Sequence, residues 1–337
     1  MVALSLAILL PIAVGSAPQQ PSRSAAIVDR GLTPADFPKL EKLTDRVYVF
    51  SDLHSGGFGY LTNDLIVITD AGVLVADGQG TPAVTQKLVD EIRRLTPQPI
   101  VDVVVCSEHG DHTGGNTSFP LSAVFVSSPA SQASLRAQAA NDRPGGPKTI
   151  VPAETVASSR VIRLGTTEID VVYNGRAHTG GDLEVYLPAE KILFASEVFT
   201  NRIFPSMRTA YPSEWIATLE KVAAIDATTI VPGHGFVEEP ATLRSDFAAF
   251  RRAMGSVVAE AMRLHQLGLS VRDAVAQARW GEYGTWTGQD RNAPIAIQRV
   301  YDEMDGKLKS RSARARGQPF FRLSRLLKGV ATPSHAE

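Results

Sequence analysis

Two imidazoles and a carboxylate fall within four residues in Ser107-Glu108-His109-Gly110-Asp111-His112, directly behind the apolar run Ile100-Val101-Asp102-Val103-Val104-Val105-Cys106. Neutral imidazole nitrogen and carboxylate oxygen are the groups that hold catalytic zinc. Ligands this close in sequence reach one ion only where a strand breaks into a loop, and Thr113-Gly114-Gly115-Asn116 is the expected break. Asp, His and Gly also favour ordinary turns, but the distribution of histidine argues against a plain surface turn. The 337 residues contain seven histidines. His178, in Gly175-Arg176-Ala177-His178-Thr179-Gly180-Gly181-Asp182, and His234, in Ile230-Val231-Pro232-Gly233-His234-Gly235, follow β-rich runs in similar small or Gly-flanked turns. With His109 and His112 they make four histidines at strand exits, where α/β folds place their sites. One shared metal site is the expectation.

A divalent ion lowers the pKa of a bound water to about 7 and polarises a carbonyl or phosphoryl oxygen, so the implied reaction class is hydrolysis. Asp111, ligating through one oxygen, could orient the attacking water with the other, and His109 could share that role if its own half of the metal site is empty. Neither a Gly-x-Ser-x-Gly nucleophile elbow nor a phosphate loop ending in Gly-Lys-Ser/Thr competes with this reading. Cys106 is the only cysteine and ends an apolar strand, so it reads as a buried, inert thiol, and no internal disulfide can form.

From about Leu43 to Gly235 the chain resembles the metallo-β-lactamase superfamily, whose signature is His-x-His-x-Asp-His followed by a later His, an acidic residue after another strand, and a final His. Val47-Tyr48-Val49-Phe50 and Asn63 to Ile68 fit the early strands, and Gly72-Val73-Leu74-Val75-Ala76-Asp77-Gly78 resembles the family's strand ending in a structural Asp. The resemblance implies an αββα sandwich with the metal at one edge of two facing sheets. Two positions depart from it. Ser107 stands where the first metal-binding His is expected, and Ser196-Glu197 stands where the family has Gly and a bridging Asp.

If the segment is extended, residues 107, 109 and 111 share one face while Glu108 points away, so Ser107 takes the vacated position. A serine hydroxyl is a poor ligand for a divalent ion but can hold a bound water; it could equally do no more than fill space. The half-site of Asp111, His112 and His234 is then complete, with a fourth position open. The other half retains His109 and His178. Glu197, one methylene longer than Asp, could reach into the gap, giving two histidines and one carboxylate, a set compatible with zinc, manganese or iron. Paired change at 107 and 197, or independent drift in a site that needs one ion, both fit the sequence.

The elements that must position these residues alternate between β-rich and helical. Helical spacing predicts Pro82 to Leu95, Pro129 to Ala140 and Trp215 to Ala224, the last introduced by Pro212-Ser213-Glu214. Further strands are expected at Val161 to Leu164, Ile169 to Tyr173, Glu184 to Leu187, Ile192 to Ala195 and Thr229 to Val231. After His234 the pattern turns helical, at Pro240 to Leu267, Val271 to Ala278 and Ala293 to Leu308. The expected organisation is a signal peptide over 1–17, a linker over 18–40, a metallo-β-lactamase-like domain over 41–240, a C-terminal helical region over 241–308 and a basic tail over 309–337. Trp280, Tyr283 and Trp286 are candidate pocket walls or core residues.

Arg202, Arg208 and Tyr211 follow Glu197 closely, so they are candidates for binding a substrate carboxylate or donating to a developing oxyanion, or for anchoring the loop that carries them. Val2 to Val14 is apolar, too short to span a bilayer but the length of a signal-peptide core. Gly15-Ser16-Ala17 offers a cleavage site, although no Lys or Arg precedes the run. An exported, periplasmic protein with no stable membrane span is expected. A net charge of −1 with 20% charged residues gives no reason to expect a nucleic-acid partner; the basic run Lys307 to Lys328 reads as a solvated end.

The functional expectation is a metal-dependent hydrolase holding one or two zinc ions and acting on an ester, lactone, lactam or related bond of a small molecule. The alternatives are an iron enzyme of the same fold with redox chemistry and a binding protein with a degenerate site. Ser107, standing where an iron ligand would be, disfavours the first. The retained ligands disfavour the second, because clustered polar groups are costly to keep without use.

Overall fold

The computed structural model describes residues 23–146 and 148–308. The expected signal segment, the start of the linker and the basic tail beyond residue 308 lie outside the described residues. Residues 23–38, read from sequence as linker, pack onto the body. Ala25, Ile27 and Phe37 are buried, the backbone N–H groups of Ala25 and Ala26 reach the Thr287 hydroxyl, and Arg30 pairs with Glu238 at 2.7 Å.

Seven strands form the first sheet in chain order: β1 (Lys39–Lys42), β2 (Val47–Leu53), β3 (Leu61–Thr69), β4 (Gly72–Ala76), β5 (Ile100–Val104), β6 (Val124–Ser127) and β7 (Glu154–Thr155). Five form the second, also neighbours in chain order: β8 (Ser159–Leu164), β9 (Thr167–Val172), β10 (Glu184–Leu187), β11 (Ile192–Phe194) and β12 (Thr229–Val231). The first sheet begins with antiparallel hairpins and becomes parallel from β4 onward. The second is antiparallel except for the β11–β12 pair. Parallel neighbours need a crossover, and helices α1 (Pro82–Leu95), α3 (Pro129–Ala139) and α4 (Pro212–Ala223) supply three of them.

Alternation along the strands sets the layers. Val47, Val49, Leu65, Leu74, Ala76 and Val104 of the first sheet meet Ile169, Val171, Val185, Phe194 and Val231 of the second in one buried cluster. From the opposite face of the first sheet, Phe50, Ile66, Val73, Val75 and Val103 turn outward onto Leu88, Val89 and Ile92 of α1. On the far side, Leu193 and Ile230 pack beneath Trp215 and Leu219 of α4, then α5 (Pro240–Gln266), α6 (Val271–Gln277) and α7 (Gln289–Met304). The result is the expected αββα sandwich, with three C-terminal helices thickening one outer layer. Of these described helices, none is long and apolar enough to cross a membrane.

Element ends moved where local chemistry overrode periodicity. α7 begins at Gln289, after a left-handed Gly288, and carries Pro294 inside it. It stops at Met304, before Asp305-Gly306, rather than running to 308. β1, β6 and β7 carried too short an apolar pattern to stand out. Tyr283 and Trp286 belong to the core beneath α5 and α7, with Trp280 packed against it, so they are core aromatics rather than cleft walls.

Candidate metal centre

The residues with ligand chemistry gather at one edge of the sandwich, past the C-terminal ends of β5, β11 and β12. β5 ends at Val104, earlier than the Thr113-Gly114 break expected from sequence, and His109 then caps a single helical turn, α2 (Gly110–Thr113). Ser107 faces inward and Glu108 outward, where Glu108 accepts from the Ser131 hydroxyl at 2.9 Å, as strand alternation implies. Asp111 reaches the site for a different reason from the one expected: it lies in the first turn of α2, not in an extended segment. Gly114 permits this, since a Cβ there would lie 2.3 Å from the Gly80 carbonyl oxygen. His178 comes from the β9–β10 loop, Glu197 from a tight turn after β11 and His234 from the turn after β12.

Two ligand sets result, Asp111, His112, Glu197 and His234 in one and His109, His178 and Glu197 in the other. In the first, His112 Nε2 stands 3.2 Å from His234 Nε2. Asp111 Oδ2 lies 3.2 Å from the latter and 3.5 Å from the former, and Glu197 Oε1 lies 3.3 Å from His234 Nε2. In the second, His178 Nε2 is 3.2 Å from His109 Nδ1, and Glu197 lies 3.1 Å from His178 through Oε1 and 2.9 Å from His109 through Oε2. Ligands about 2.0–2.1 Å from a tetrahedral ion are separated by roughly 3.3 Å along each edge. The distances above cluster at that spacing, with His112 Nε2 to Glu197 Oε1 wider at 3.8 Å, and the imidazole nitrogens and carboxylate oxygens gather as they would around a cation, so the donor set fits a divalent metal ion.

Glu197 is common to both sets, and its Oε2 also accepts a short hydrogen bond from the Ser107 hydroxyl. The longer carboxylate therefore extends toward the position that Ser107 leaves open. Burial alone would raise the carboxyls of Glu197 and Asp111. The surrounding imidazoles outweigh it, His178, His109 and His112 for Glu197 and His112, His234 and His54 for Asp111, and hold both well below the usual carboxylate range. Burial likewise works against a charged His109, but Glu197 prevails and lifts it to about 9.

Further groups fix the ligands. Asp77, in the left-handed region at φ 64°, accepts from the backbone N–H groups of Cys106 at 2.7 Å and Ser107 at 3.3 Å and from the Ser196 hydroxyl at 2.5 Å. Its Oδ2 lies 3.2 Å from His112 Nδ1. His234 Nδ1 faces the Leu61 carbonyl at 3.0 Å, and His109 Nε2 meets the Thr209 hydroxyl at 2.8 Å. These contacts leave the opposite ring nitrogens directed at the site. Gly233 brings the two turns together: its N–H donates to Ser196 at 2.8 Å, and a Cβ there would strike the Ser196 carbonyl carbon at 2.5 Å.

Sequence reasoning missed His54. It lies in the β2–β3 hairpin, accepts at Nδ1 from the Gly56 N–H at 2.8 Å and so presents Nε2–H to Asp111 Oδ2 at 3.0 Å. The signal was available, because His54-Ser55-Gly56-Gly57 is another Gly-flanked histidine after a β-rich run. Cys106 is fully buried, and burial raises its thiol well above the ordinary value, in keeping with an inert role.

The ligands open into a cleft of about 550 Å³ lined by His54, Phe58, Tyr60, Ile203, Arg208 and Arg291 among others. Of the substrate candidates read from sequence, Arg208 lies on this cleft. Arg202 does not: it pairs with the buried Asp246 at 2.6 Å and anchors its loop. Tyr211 is also outside the lining, held between the guanidinium groups of Arg176 at 3.9 Å and Arg299 at 5.6 Å. Ser107 is buried beneath Glu197 rather than exposed to the cleft.

The family model of the metallo-beta-lactamase superfamily matches residues 60–234. The chain is 24% identical over 210 residues to a metallo-beta-lactamase type 2 of Bacillus sp. (strain 170), covering 60% of this chain and 79% of that protein. It is 23% identical over 204 residues to the metallo-beta-lactamase type 2 of Bacillus cereus, covering 59% and 77%. Among solved structures, a metallo-beta-lactamase from Pontibacter korlensis superposes with a TM-score of 0.54 at 22% identity, over 64% of this chain and 99% of that one. A double mutant of the sec-alkyl sulfatase PisA1 superposes at 0.62 with 17% identity, over 84% and 52%. These structures share the fold, and the family match spans the stretch that carries both ligand sets, from His109 to His234. The chain belongs to the metallo-beta-lactamase superfamily.

Proposed function

We propose that this chain is a zinc-dependent hydrolase with two ions, His109, His178 and Glu197 holding one and Asp111, His112, His234 and Glu197 the other, and that it cleaves an ester, lactone, lactam or related bond of a small molecule. The observation that carries this reading is the single carboxylate of Glu197, set at ligand spacing from both imidazole groups. Imidazole and carboxylate without thiolate suit zinc, with manganese and iron as the competing ions. Ions held there would supply a water of lowered pKa and a polarised substrate oxygen.

The chain's own groups do the rest. His54 donates to Asp111 Oδ2 and fixes that carboxylate, leaving its other oxygen to orient a water and accept its proton. His109, backed by Thr209, lies beside the same space. Ser107 acts through Glu197: its donated hydrogen bond holds Oε2 in place. The hydrophobic rim of Phe58, Tyr60, Ile203 and Ile295 excludes water around the reacting bond. The apolar run Val2 to Val14 supports work outside the cytoplasm.

Metal analysis combined with a panel of ester, lactone, β-lactam, phosphodiester and alkyl sulfate substrates, on wild type and Asp111→Ala, tests the proposal. Two zinc equivalents and turnover lost in the variant are expected. Bound iron with oxygen consumption would replace it with the redox reading, and a metal-free protein would replace it with the binding one.

A further inference from the structure

Two guanidinium groups on the cleft lack the carboxylate partners that nearby arginines possess. Arg202 is paired with Asp246 and Arg176 with Glu214. Arg208, exposed on the loop after Glu197, and Arg291, half-buried in α7, both line the cleft. Neither makes an ion pair among the described residues. Arg291 spends its donors on neutral acceptors, Asn292 Oδ1 at 3.1 Å and the Tyr60 hydroxyl at 3.4 Å, which leaves most of its five N–H groups open. Its plane is fixed by stacking 3.7 Å above the Phe58 ring, with Tyr60 at 5.6 Å.

The two acids that line the same cleft cannot serve these arginines, since Asp111 and Glu197 are committed to imidazoles. A half-buried cation stacked on an aromatic ring without a counter-charge is an unfavourable arrangement for an apo surface and a favourable one for receiving an anion. Tyr60 also packs 5.5 Å from the His234 ring, so one aromatic ring separates Arg291 from the ligand cluster. Arg291 belongs to α7, beyond the family-matched residues 60–234, so the C-terminal helices bring a charge to the cleft that the matched stretch does not contain.

We propose that Arg291, with Arg208 on the same cleft, binds an oxyanion group on the substrate, carboxylate, sulfate or phosphate, while Phe58, Tyr60, Ile203 and Ile295 hold the apolar body to which it is attached. This rests on the hydrolase reading above and narrows it to anionic small molecules with an apolar portion. The scissile bond is a separate group, at the imidazole cluster.

Calorimetric titration of the zinc-loaded full chain with benzoate, phenyl sulfate and phenyl phosphate provides a readout independent of turnover. Kd should rise at least tenfold in Arg291→Gln and severalfold in Arg208→Gln, with Arg291→Lys recovering part of the loss. The probe bound most tightly names the oxyanion. In parallel, the wild-type preference for 4-nitrophenyl hemiglutarate over 4-nitrophenyl valerate, as a ratio of kcat/KM values, should fall at least tenfold in Arg291→Gln, mainly through KM. Unchanged Kd values and an unchanged ratio in both glutamine variants would overturn the subsite and leave the hydrolase reading standing. Arg291-dependent anion binding in a protein that hydrolyses none of the substrate panel would do the reverse. If Arg291→Gln does not fold, Arg208→Gln and Arg291→Met carry the same comparison, and wild-type Kd values in both overturn the subsite.

Discussion

Removing the carboxylate at position 197 should separate the two ligand sets. In Glu197→Ala, Asp111, His112 and His234 still offer one carboxylate and two imidazoles at spacings of 3.2 to 3.5 Å, enough for a site with an open position. His109 and His178 are left as a pair of imidazoles. If zinc sites of four ligands bind with about 10–16 kcal/mol, one ligand is worth roughly 3 kcal/mol, or about two orders of magnitude in Kd. Metal content after dialysis against micromolar zinc should therefore fall from two equivalents to one. Glu197→Asp draws the carboxylate back by about one carbon–carbon bond of roughly 1.5 Å, half an edge of the ligand polyhedron, and should give the same result in weaker form. The decisive variant is Ser107→His combined with Glu197→Asp. A new imidazole in the position Ser107 leaves open would replace the lost reach, so the double variant should regain the second equivalent that Glu197→Asp loses. One equivalent in the wild type, or a double variant no better than Glu197→Asp alone, would refute the pairing of the two positions.

His54→Ala removes the donor to Asp111 without removing a ligand, so kcat/KM should fall about 10–100-fold, the usual cost of such a partner, with metal content unchanged; an unchanged kcat/KM would refute the positioning role. Asp77→Ala strands buried donors at Cys106, Ser107 and Ser196, and at about 1–3 kcal/mol each denaturant unfolding should show a loss of several kcal/mol. Asp64→Asn tests a buried acid: burial lifts the Asp64 carboxyl to about 8, so the folded chain holds its proton while the unfolded chain releases it near the ordinary aspartate value of 3.8. Stability is then lost as pH rises from that value toward 8, at up to about 1.4 kcal/mol per pH unit, and the variant's advantage over wild type in denaturation midpoint should grow over that window. Equal midpoint differences at pH 5 and pH 8 would show that Asp64 ionises normally.

Much of this molecule is written in local pattern. α1 and β10 fall at the residues their periodicity predicts, because a helix with one apolar stripe and a strand with a two-residue alternation declare themselves within a short window. The ligand histidines were legible for a related reason: catalytic groups stand at strand exits, and strand exits are marked by glycine. What failed was what depends on distant partners. Arg202 and Tyr211 sit near Glu197 in sequence, yet Asp246, 44 positions away, takes the first and two arginines enclose the second. The apolar linker residues Ala25 and Ile27 could not reveal that Thr287, more than 250 positions along the chain, would hold their segment down.

His54 marks the boundary between the two kinds of information. Its Gly-flanked setting matches that of the other histidines, but its partner is a ligand carboxylate, Asp111, and so it stands outside any ligand pattern. The family pattern specifies which groups touch the metal and one structural Asp behind them, Asp77, but not the partners that this chain's own ligand set requires. In this chain the difference is consequential, because a serine and a longer carboxylate have replaced the usual His and Asp. Two of the six ligands, Glu197 and Asp111, each serve several imidazoles at once. A carboxylate with that many partners is useful only if it cannot rotate, so the Ser107 hydroxyl on Glu197 and the His54 imidazole on Asp111 are what the unusual ligand set requires. On this reasoning Ser107→Ala and His54→Ala are parallel perturbations of the two halves, and each should impair its own half: Ser107→Ala the retention of the ion held by His109 and His178, His54→Ala the turnover supported by Asp111. Metal titration and kcat/KM on the same two variants would separate the effects, and a variant that disturbed both readouts equally would mean the two halves act as one unit through Glu197.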